Sequence, residues 1–546
     1  MSLLNKASLI QIPSGYKDGT LYSAKPTNGD GDFTFSRGSN LAATRVNSEG
    51  LIEKGRENLF LHSNSFDTTW TNVNTSETSG QSGYDGTNDA WLLSKTAQSA
   101  RIEQTISTSG VQTFSIYAKA GTLNWIRLNV YTAWAYYDLN NGVVGTDTND
   151  IIQHNIYDVG NGWYRCELVI NLSANILRIY PAEGDGDVSG TSGNILIQDS
   201  QLESGLVSTD VITTTTTTAQ AGILEDMPRL DYSGGASCPS LLLEPQRSNL
   251  LAYSEYYAAG QWANTDVSLT TNHALSPEGK MNASLWEFTT TNTLARIQYV
   301  LGGVTVGATY TQSYYIKSLS GDLTLRIGTS GSVSGEFEDI TATSEWQRFV
   351  FTGVASTTTE YPRIQNISGT QGAQILVYGA QMEAGSYPTS YIPTYGASVT
   401  RSADSCTLLS MSNNITSGIS SATLLIEYEH TLESLNDAFC FGQNNNFYPT
   451  GRGYIYNQGN GFADSFGGGG FTITQGANTK TIYRLNTLSN ANIFQNGVKG
   501  STLTGTAWSQ IDQITFRGAF ARMKVKQITL FNEALTDAEC IELTTI

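Results

Sequence analysis

Residues 113–119 have the sequence TFSIYAK, and residues 311–317 repeat it as TQSYYIK. Four further landmarks occur twice in the same order around this pair: RENL, WTN, GWYR and QLESG match RSNL, WAN, EWQR and QMEAG. They begin at residues 56, 70, 162 and 201 in the first copy, and at residues 247, 262, 345 and 381 in the second. This order predicts two versions of one module of about 150–170 residues, which is an ordinary domain size.

Short runs rich in Val, Ile, Tyr, Thr and Phe, separated by Gly, Asn, Ser and Asp, recur along the 546 residues. Such runs are typical of strands, and the residues between them are typical of turns. We therefore predict an all-β protein of tandem jelly-roll β-sandwiches. Its predicted segments are a leader (1–55), module one (56–218), a connector (219–246), module two (247–400) and a third domain (401–546). One clear helix is expected, at residues 536–543.

The composition argues against several classes of function. The net charge is −18 and no basic cluster occurs, so we expect no nucleic-acid partner. No apolar run is long enough to cross a membrane, and the N-terminus lacks the apolar core of a signal peptide. We therefore expect no membrane insertion and folding in a cytoplasm. The five cysteines are scattered and form no CxxC pair, which favours neither a disulfide scaffold nor a zinc site.

The third domain differs from the two modules. Residues 422–428 (ATLLIEY) predict a long strand, and residues 491–499 (ANIFQNGVK) predict a hairpin with Asn-Gly at its turn. A further strand over 523–531 precedes NEALTDAE at residues 532–539. This order of strand, hairpin, strand and terminal helix resembles the laminin-G or concanavalin-like sandwich. The resemblance implies that fold for residues 401–546.

The leader and the connector carry a second resemblance. Residues 35–39 (FSRGS) and 43–53 (ATRVNSEGLIE) form one half of a pattern, and residues 228–232 (PRLDY) and 239–251 (PSLLLEPQRSNLL) form the other. The pattern is similar to that of structural proteins of tailed bacteriophages, which combine carbohydrate-binding-like jelly rolls with a laminin-G-like domain. In this chain module one lies between the two halves, which indicates a duplication inside an ancestral leader. The resemblance implies a virion-surface protein made in the host cytoplasm.

The strand over residues 124–131 carries the best candidate ligand site. A period of two places Trp125, Arg127, Asn129 and Tyr131 on the face opposite the core. Aromatic rings stack on the apolar face of a sugar, while arginine and asparagine bond its hydroxyls or carboxylates. Arg178, which is duplicated as an arginine in module two, is expected to join them. The alternatives are that the aromatic side chains pack against a neighbouring subunit, or that the arginines pair with acids such as Glu203.

Three arginines of module one have counterparts in module two, which also retains the acid that matches Glu203. The matched pairs are Arg101 with Arg296, Arg127 with Arg326, Arg178 with Arg363, and Glu203 with Glu383. Thr324 and Gly328 stand where module one has Trp125 and Asn129. Module one is therefore the better candidate for holding a glycan.

Two acidic, glycine-rich loops are candidate metal sites. They contain Asp30 and Asp32 in NGDGD, and Asp185 and Asp187 in EGDGD. Calcium favours oxygen-rich loops that glycine allows to turn sharply, but neither loop has the distal glutamate of an EF-hand. A structural calcium is one interpretation and a simple turn is the other.

No catalytic constellation is evident. The four histidines lie in no triad or HExxH context. We therefore predict a protein that is not an enzyme. The resemblance to phage structural proteins implies a tail fibre or receptor-binding protein that attaches to host cell-surface polysaccharide. It would assemble with itself as a homo-oligomer, in particular a trimer, and with other virion proteins. The alternatives are a head-fibre or tail structural protein without a specific ligand, and a polysaccharide depolymerase.

Overall fold

The computed structural model describes residues 3–38, 41–173, 176–329, 336–409, 421–432, 439–442, 453–458, 461–466, 469–472, 474, 476–487, 490–504, 513–517 and 521–546. Almost all of the regular structure in these ranges is β-strand, so the predicted all-β class is confirmed. No helix among these residues is long and apolar enough to span a membrane.

The leader forms helix α1 (Leu3–Lys6) and six strands, and the connector forms three more. The leader strands are β1 (Ala7–Gln11), β2 (Tyr16–Lys17), β3 (Thr20–Leu21), β4 (Phe33–Ser36), β5 (Thr44–Val46) and β6 (Ile52–Lys54). Module one contains β7 (Arg56–Asn58), β8 (Thr71–Val73), β9 (Thr75–Gln81), β10 (Ala90–Lys95), β11 (Arg101–Gln104), β12 (Val111–Ala120), β13 (Trp125–Val130), β14 (Ala133–Asp138), β15 (Val143–Asp147), β16 (Ile151–Gly160), β17 (Trp163–Asn171), β18 (Leu177–Ala182) and β19 (Asn194–Ser204). The connector strands are β20 (Ala219–Ala221), β21 (Arg229–Asp231) and β22 (Ser240–Leu243).

The second half of the chain continues the numbering. Module two contains β23 (Arg247–Asn249), β24 (Trp262–Thr265), β25 (Val267–Ala274), β26 (Ala283–Phe288), β27 (Arg296–Tyr299), β28 (Leu301–Gly302), β29 (Thr309–Ser318), β30 (Leu323–Thr329), β31 (Glu336–Ala342), β32 (Gln347–Val354), β33 (Thr359–Glu360), β34 (Arg363–Asn366), β35 (Gln374–Ala384) and β36 (Val399–Arg401). The third domain contains β37 (Ser405–Leu409), β38 (Ala422–Leu432), β39 (Phe439–Gly442), β40 (Gly453–Gln458), β41 (Gly461–Phe466), β42 (Gly469–Thr472), β43 (Thr479–Thr487), β44 (Asn490–Gln495), β45 (Val498–Thr504), β46 (Gln513–Arg517), β47 (Ala521–Phe531) and helix α2 (Asp537–Thr544).

Each module is a sandwich of two antiparallel sheets, as the tandem jelly-roll prediction required. In module one the strand orders are β16-β17-β12-β19-β10-β9 and β15-β14-β13-β18-β11-β8. In module two they are β24-β27-β34-β30-β31 and β25-β26-β35-β29-β32. The repeated segments TFSIYAK and TQSYYIK lie in β12 and β29, which occupy matching places between β17 and β19 and between β32 and β35. Alternate side chains of the two facing sheets fill each core.

The asparagine and the tryptophan of the repeated landmarks form hydrogen bonds within each sandwich. Asn58 donates its amide hydrogens to the carbonyl oxygens of Ser200 and Ile212, and Asn249 does the same to Ala380 and Ile392. The indole nitrogens of the two landmark tryptophans, at positions 70 and 262, each donate to a backbone carbonyl oxygen. Because a buried polar group needs a partner, these residues could not vary freely after duplication.

The third domain is assembled from three separate stretches of chain. Its eight-stranded sheet runs β21-β22-β47-β38-β43-β44-β45, with β1 also paired to β47. Its nine-stranded sheet runs β2-β3-β4-β37-β46-β39-β40-β41-β42. The leader therefore supplies strands to both sheets, and the connector supplies two strands to the eight-stranded sheet. The predicted Asn-Gly hairpin joins β44 to β45, and the predicted helix is α2, which begins with a capping box at Thr536.

A buried charge cluster joins these stretches, and we call it the five-residue cluster. It consists of Arg37 from the leader, Arg229 and Glu244 from the connector, Arg401 from the end of β36, and Asp404 from the segment that follows β36. Nη1 of Arg229 lies 2.7 Å from Oε2 of Glu244, and Nη1 of Arg401 lies 2.9 Å from the same oxygen. Asp404 accepts hydrogen bonds from both Arg37 and Arg229. All five side chains are fully buried.

The charges of the five-residue cluster depend on one another. Burial lowers the pKa of Arg37 to about 10 despite the nearby Asp404 carboxylate. Burial by itself would raise the pKa of Glu244, but Arg401 and Arg229 outweigh it and hold that pKa well below its usual range. Arg37, Arg229 and Glu244 belong to the leader and connector segments quoted above, so these segments encode buried contacts that hold distant parts of the chain together.

Candidate functional site

The outer face of one module-one sheet carries four of the five predicted site residues, namely Trp125, Arg127, Asn129 and Arg178. In β13 Ile126, Leu128 and Val130 are fully buried in the core, so the intervening residues point outward, as the period of two predicted. Cross-strand register brings outward residues of β14, β18 and β11 alongside. We call this surface the Arg127 face; its residues are Trp125, Arg127, Asn129, Trp134, Tyr136, Asp138, Arg178, Tyr180, Arg101 and Glu103.

Arg127 lies at the centre of the face, framed by aromatic rings. Its guanidinium carbon is 4.7 Å from the ring centre of Tyr180, 5.2 Å from that of Trp134 and 5.7 Å from that of Tyr136. Tyr136 and Tyr180 are its direct cross-strand neighbours on either side. No residue in the described part of the chain accepts a hydrogen bond from Arg127 or pairs with its charge, and its Nε is buried.

The other two arginines of the face are already paired. Nε of Arg178 and Nε of Arg101 each lie 2.8 Å from Oε2 of Glu103. The two guanidinium groups outweigh the effect of partial burial and lower the pKa of Glu103. Arg178 also donates from Nη1 to Oδ1 of Asn129 at 3.0 Å. Arg178 therefore helps to build the face, and its donors are partly occupied.

Asn129 and Tyr131 have different surroundings from those predicted. Asn129 is only 2% exposed, and its amide donates to the carbonyl oxygens of Tyr131 and Ala133. It closes the turn between β13 and β14 and orients Arg178. Tyr131 lies beyond the end of β13 in that turn, at a left-handed φ of 53°, and its side chain is 55% exposed. The period of two therefore stops at Val130.

Trp125 is half-buried at the other end of β13. A methyl group built on Gly145 would lie 2.6 Å from Cζ3 of Trp125 and 2.7 Å from Oδ1 of Asp185. Glycine at this position therefore allows the indole ring and the Asp185 loop to pack against β15. Two tryptophans, Trp125 and Trp134, thus lie on either side of Arg127 along the face.

This arrangement suits a ring-shaped polar ligand. The half-buried Trp125 and Trp134 offer apolar surface for stacking, and the Arg127 fork, which rests on the buried rings of Tyr136 and Tyr180, offers hydrogen-bond donors in a fixed plane. Within the face as described, Arg127 is the one arginine whose charge has no acidic partner. Sequence reasoning located Arg127 and Trp125 but could not show that Glu103 engages Arg178 and leaves Arg127 unpaired.

The matching face of module two differs because the arginine that corresponds to Arg127 is paired with an acid. Arg326 forms two hydrogen bonds with Asp339, at 2.6 and 3.0 Å, which neutralise it. Phe337 lies on this face, and the centre of its ring lies 4.4 Å from the guanidinium carbon of Arg363. Burial and the charges of Arg296 and Arg326 lower the pKa of Arg363 to about 10. The alternative that the duplicated arginines pair with Glu203 and Glu383 is not what is seen, because those carboxylates bond Thr209 and Thr389.

The four aspartates of the acidic loops accept hydrogen bonds from other groups of the chain. Asp32 accepts from the backbone and hydroxyl of Ser23, and Asp30 accepts from Asn28. Asp185 accepts from the backbone and hydroxyl of Thr146, and Asp187 accepts from the backbone of Ser189. Among the residues that the structure covers, no group of three or more His, Cys, Asp or Glu side chains is placed to hold a metal ion.

The comparisons with known proteins give the following results. No family model matches the sequence, and no curated protein matches it significantly. The tandem CBM22-1–CBM22-2 domain of Xyn10C from Paenibacillus barcinonensis is 10% identical, with 64% of this chain and 100% of that chain covered and a TM-score of 0.21. The tandem CBM51 modules of the Streptococcus pneumoniae family 98 glycoside hydrolase are 13% identical, with 65% and 100% covered and a TM-score of 0.18.

A third solved structure is the CBM40 module of the Ruminococcus gnavus IT-sialidase, bound to alpha2,3 sialyllactose. It is 14% identical, with 23% of this chain and 84% of that chain covered and a TM-score of 0.18. TM-scores of this size are too low to argue from, so the fold rests on the sheets described above.

Proposed function

We propose that this chain is a non-enzymatic adhesion protein that holds glycans on the Arg127 face of module one. One observation carries the proposal: an arginine without an acidic partner lies among three aromatic rings on an outer sheet face. A purely structural face would pair that charge, as Glu103 pairs Arg101 and Arg178. Stacking and directed hydrogen bonds together are what recognition of a sugar needs.

The biological setting belongs to the same proposal. The resemblance of the leader and the connector to phage structural proteins supports a place on a virion surface, as a tail fibre or receptor-binding protein. A single protein–sugar contact is weak, and several chains in one fibre, in particular a trimer, would supply avidity. Other virion proteins would anchor the assembly, and the host cell-surface polysaccharide would be the ligand.

Adsorption competition tests the proposal. Purified protein is added to host cells before the phage, beside a Trp125→Ala/Arg127→Ala variant and a control variant, Arg326→Gln, altered at the matching position of module two. We expect wild type and control to block adsorption and the double variant to block it at least tenfold less well. Equal blocking by all three would mean that the glycan site lies outside the Arg127 face. Failure of every form to bind cells would favour a head-fibre or tail structural role. Release of reducing ends from host polysaccharide would favour a depolymerase.

A further inference from the structure

We infer that the Arg127 face binds an acidic sugar, a uronic acid whose carboxylate is held by Arg127 while its ring stacks on a neighbouring aromatic side chain. The inference rests on the proposed function and narrows the substrate class of that same site. It depends on the local charge around Arg127 and on the positions of the rings.

The first step concerns charge. Arg127 is half-buried, and the two acids on the face are both engaged by other groups. Glu103 accepts from Arg101 and Arg178, while Asp138 accepts from the backbone of Asn140 and from the backbone and amide of Asn141. The ring faces stabilise the cation but accept no conventional hydrogen bond from it. A neutral sugar would leave this charge uncompensated, whereas a carboxylate would neutralise it and accept two parallel hydrogen bonds.

The second step concerns geometry. Tyr136 and Tyr180 lie beside Arg127 in direct register, and Trp134 lies two residues before Tyr136 in β14, on the same face. The three ring centres are 4.7 to 5.7 Å from the guanidinium carbon. In a uronic acid the carboxylate is attached directly to the pyranose ring. Tyr136 and Tyr180 are only 2% and 7% exposed, so they support Arg127, and the half-buried Trp134 is the ring of these three that a sugar can reach. A pyranose stacked on Trp134 therefore keeps its carboxylate within reach of Arg127.

The third step compares the charge at Arg127 with the net charge of the whole molecule. The net charge of −18 repels an acidic polymer at long range. Salt screens that repulsion over about 8–10 Å, while a half-buried pair is screened much less. Short-range contacts at Arg127 must therefore provide the preference, so it depends on that one side chain.

The experiment compares matched ligands. An oligogalacturonate and a glucuronate-containing oligosaccharide are each titrated beside their carboxyl-reduced forms, with Trp fluorescence and calorimetry as readouts. We expect wild type to bind the acidic forms about tenfold or more tightly than the reduced forms, the usual effect of one charge-assisted bidentate contact. Arg127→Gln should lose the preference, Arg127→Lys should keep part of it, and Arg326→Gln should bind like wild type.

Three outcomes would overturn the inference. Equal binding of acidic and reduced forms, lost together in Trp125→Ala, would leave glycan adhesion standing and exclude the uronate assignment. Binding of neither form by a chain that still blocks adsorption would also exclude it. A preference that survives in a folded Arg127→Gln variant would place the carboxylate elsewhere. The wild-type comparison decides the question even if a variant fails to fold.

Discussion

Glu244 illustrates how much one residue can hold together in this chain. Its carboxylate is fully buried and accepts hydrogen bonds from Arg229 and Ser390, with Arg401 also within ion-pair distance. Buried ion pairs gain little over apolar packing, but breaking one leaves an uncompensated charge in the interior. The five-residue cluster therefore favours one arrangement of leader, connector and module two over others.

Replacing this carboxylate gives the first prediction. Glu244→Gln removes one of the two negative charges of the five-residue cluster, the one that faces Arg229 and Arg401. We therefore expect the free energy of unfolding to fall by about 3–5 kcal/mol. Urea denaturation followed by circular dichroism measures it. Arg326→Gln removes an exposed pair and should leave the midpoint nearly unchanged. If both variants unfolded at the wild-type midpoint, the cluster would have no stabilising role.

Asp199 gives a prediction of pH dependence. Its carboxylate is buried, accepts a hydrogen bond from Tyr84 and lies near Asp89 and Asp85. Burial raises the pKa of Asp199 to about 6. The hydrogen bond from Tyr84 opposes this rise, and the two nearby carboxylates add to it. The ordinary pKa is about 3.9, so the folded state binds more protons between about pH 4 and pH 6. Stability therefore falls as pH rises through that range.

Asp199→Asn should remove this loss. Asn tolerates the left-handed backbone at this position, where φ is 48°, and its side-chain oxygen can still accept from Tyr84. At pH 7 we expect the variant to be more stable than wild type by on the order of 1–2 kcal/mol, with no difference near pH 4. Thermal melts from pH 4 to pH 8 in the presence of EDTA test this. A constant difference across the whole range would rule out titration of Asp199 as the cause.

At the scale of elements, β1 shows how the leader is used. Leu9 is fully buried, pairs with Leu530 of β47 and packs in the same apolar core as Phe33 and Leu424. The leader strand thus extends the eight-stranded sheet of the third domain. A period-two strand with one apolar face needs such a partner, because its exposed backbone and side chains are costly in water.

Leu9→Ala should therefore destabilise the eight-stranded sheet, whose other strands begin more than 200 residues later in the chain. We expect a loss of about 2–5 kcal/mol, the range for a truncated leucine in a packed core. Hydrogen exchange should show faster exchange of the β47 amides in the variant. Ile12→Ala, at a side chain 43% exposed just beyond β1, is the matched control and should change little. Unchanged β47 protection in Leu9→Ala would mean that β1 does not stabilise this sheet.

At the scale of the whole molecule, the two modules contact each other directly. The amide of Val111 donates to the carbonyl oxygen of Tyr395 at 2.6 Å, and Asn272 of module two donates to Gln153 and to the backbone of Leu206. Val111, Val169 and Leu206 of module one form one apolar cluster with Tyr253 and Tyr395. The Arg127 face is therefore held in a fixed direction relative to module two.

Gly110 tests this contact. It has a φ of +85°, and a Cβ there would lie 1.9 Å from the carbonyl oxygen of Tyr395. Gly110→Ala should push the modules apart and cost about 1–3 kcal/mol beyond backbone strain. Gly86→Ala is the control, with the same φ of +85° but no atom within 4 Å. Small-angle scattering should show a larger radius of gyration for Gly110→Ala alone. Identical scattering from both variants would contradict the contact.

The sequence by itself determined features that depend on neighbours along the chain. Alternation in β13 placed Arg127 outward and Leu128 inward, the Asn-Gly pair set the β44–β45 hairpin, and Thr536 began α2, because side-chain direction and turn chemistry are local. The repeat of five landmarks fixed the tandem sandwiches, since their buried polar groups need the same partners in both copies.

Only the tertiary structure decided which distant groups meet. The sequence does not show that β1 pairs with β47 or that Glu103 engages Arg178 and leaves Arg127 unpaired, because many registers are compatible with the same alternation. The sequence pattern also placed Tyr131 on the outer face of the strand, but its left-handed backbone conformation puts it in the turn that follows β13. Pairing across hundreds of residues depends on how the whole chain packs, and the charge left at Arg127 is a result of that packing.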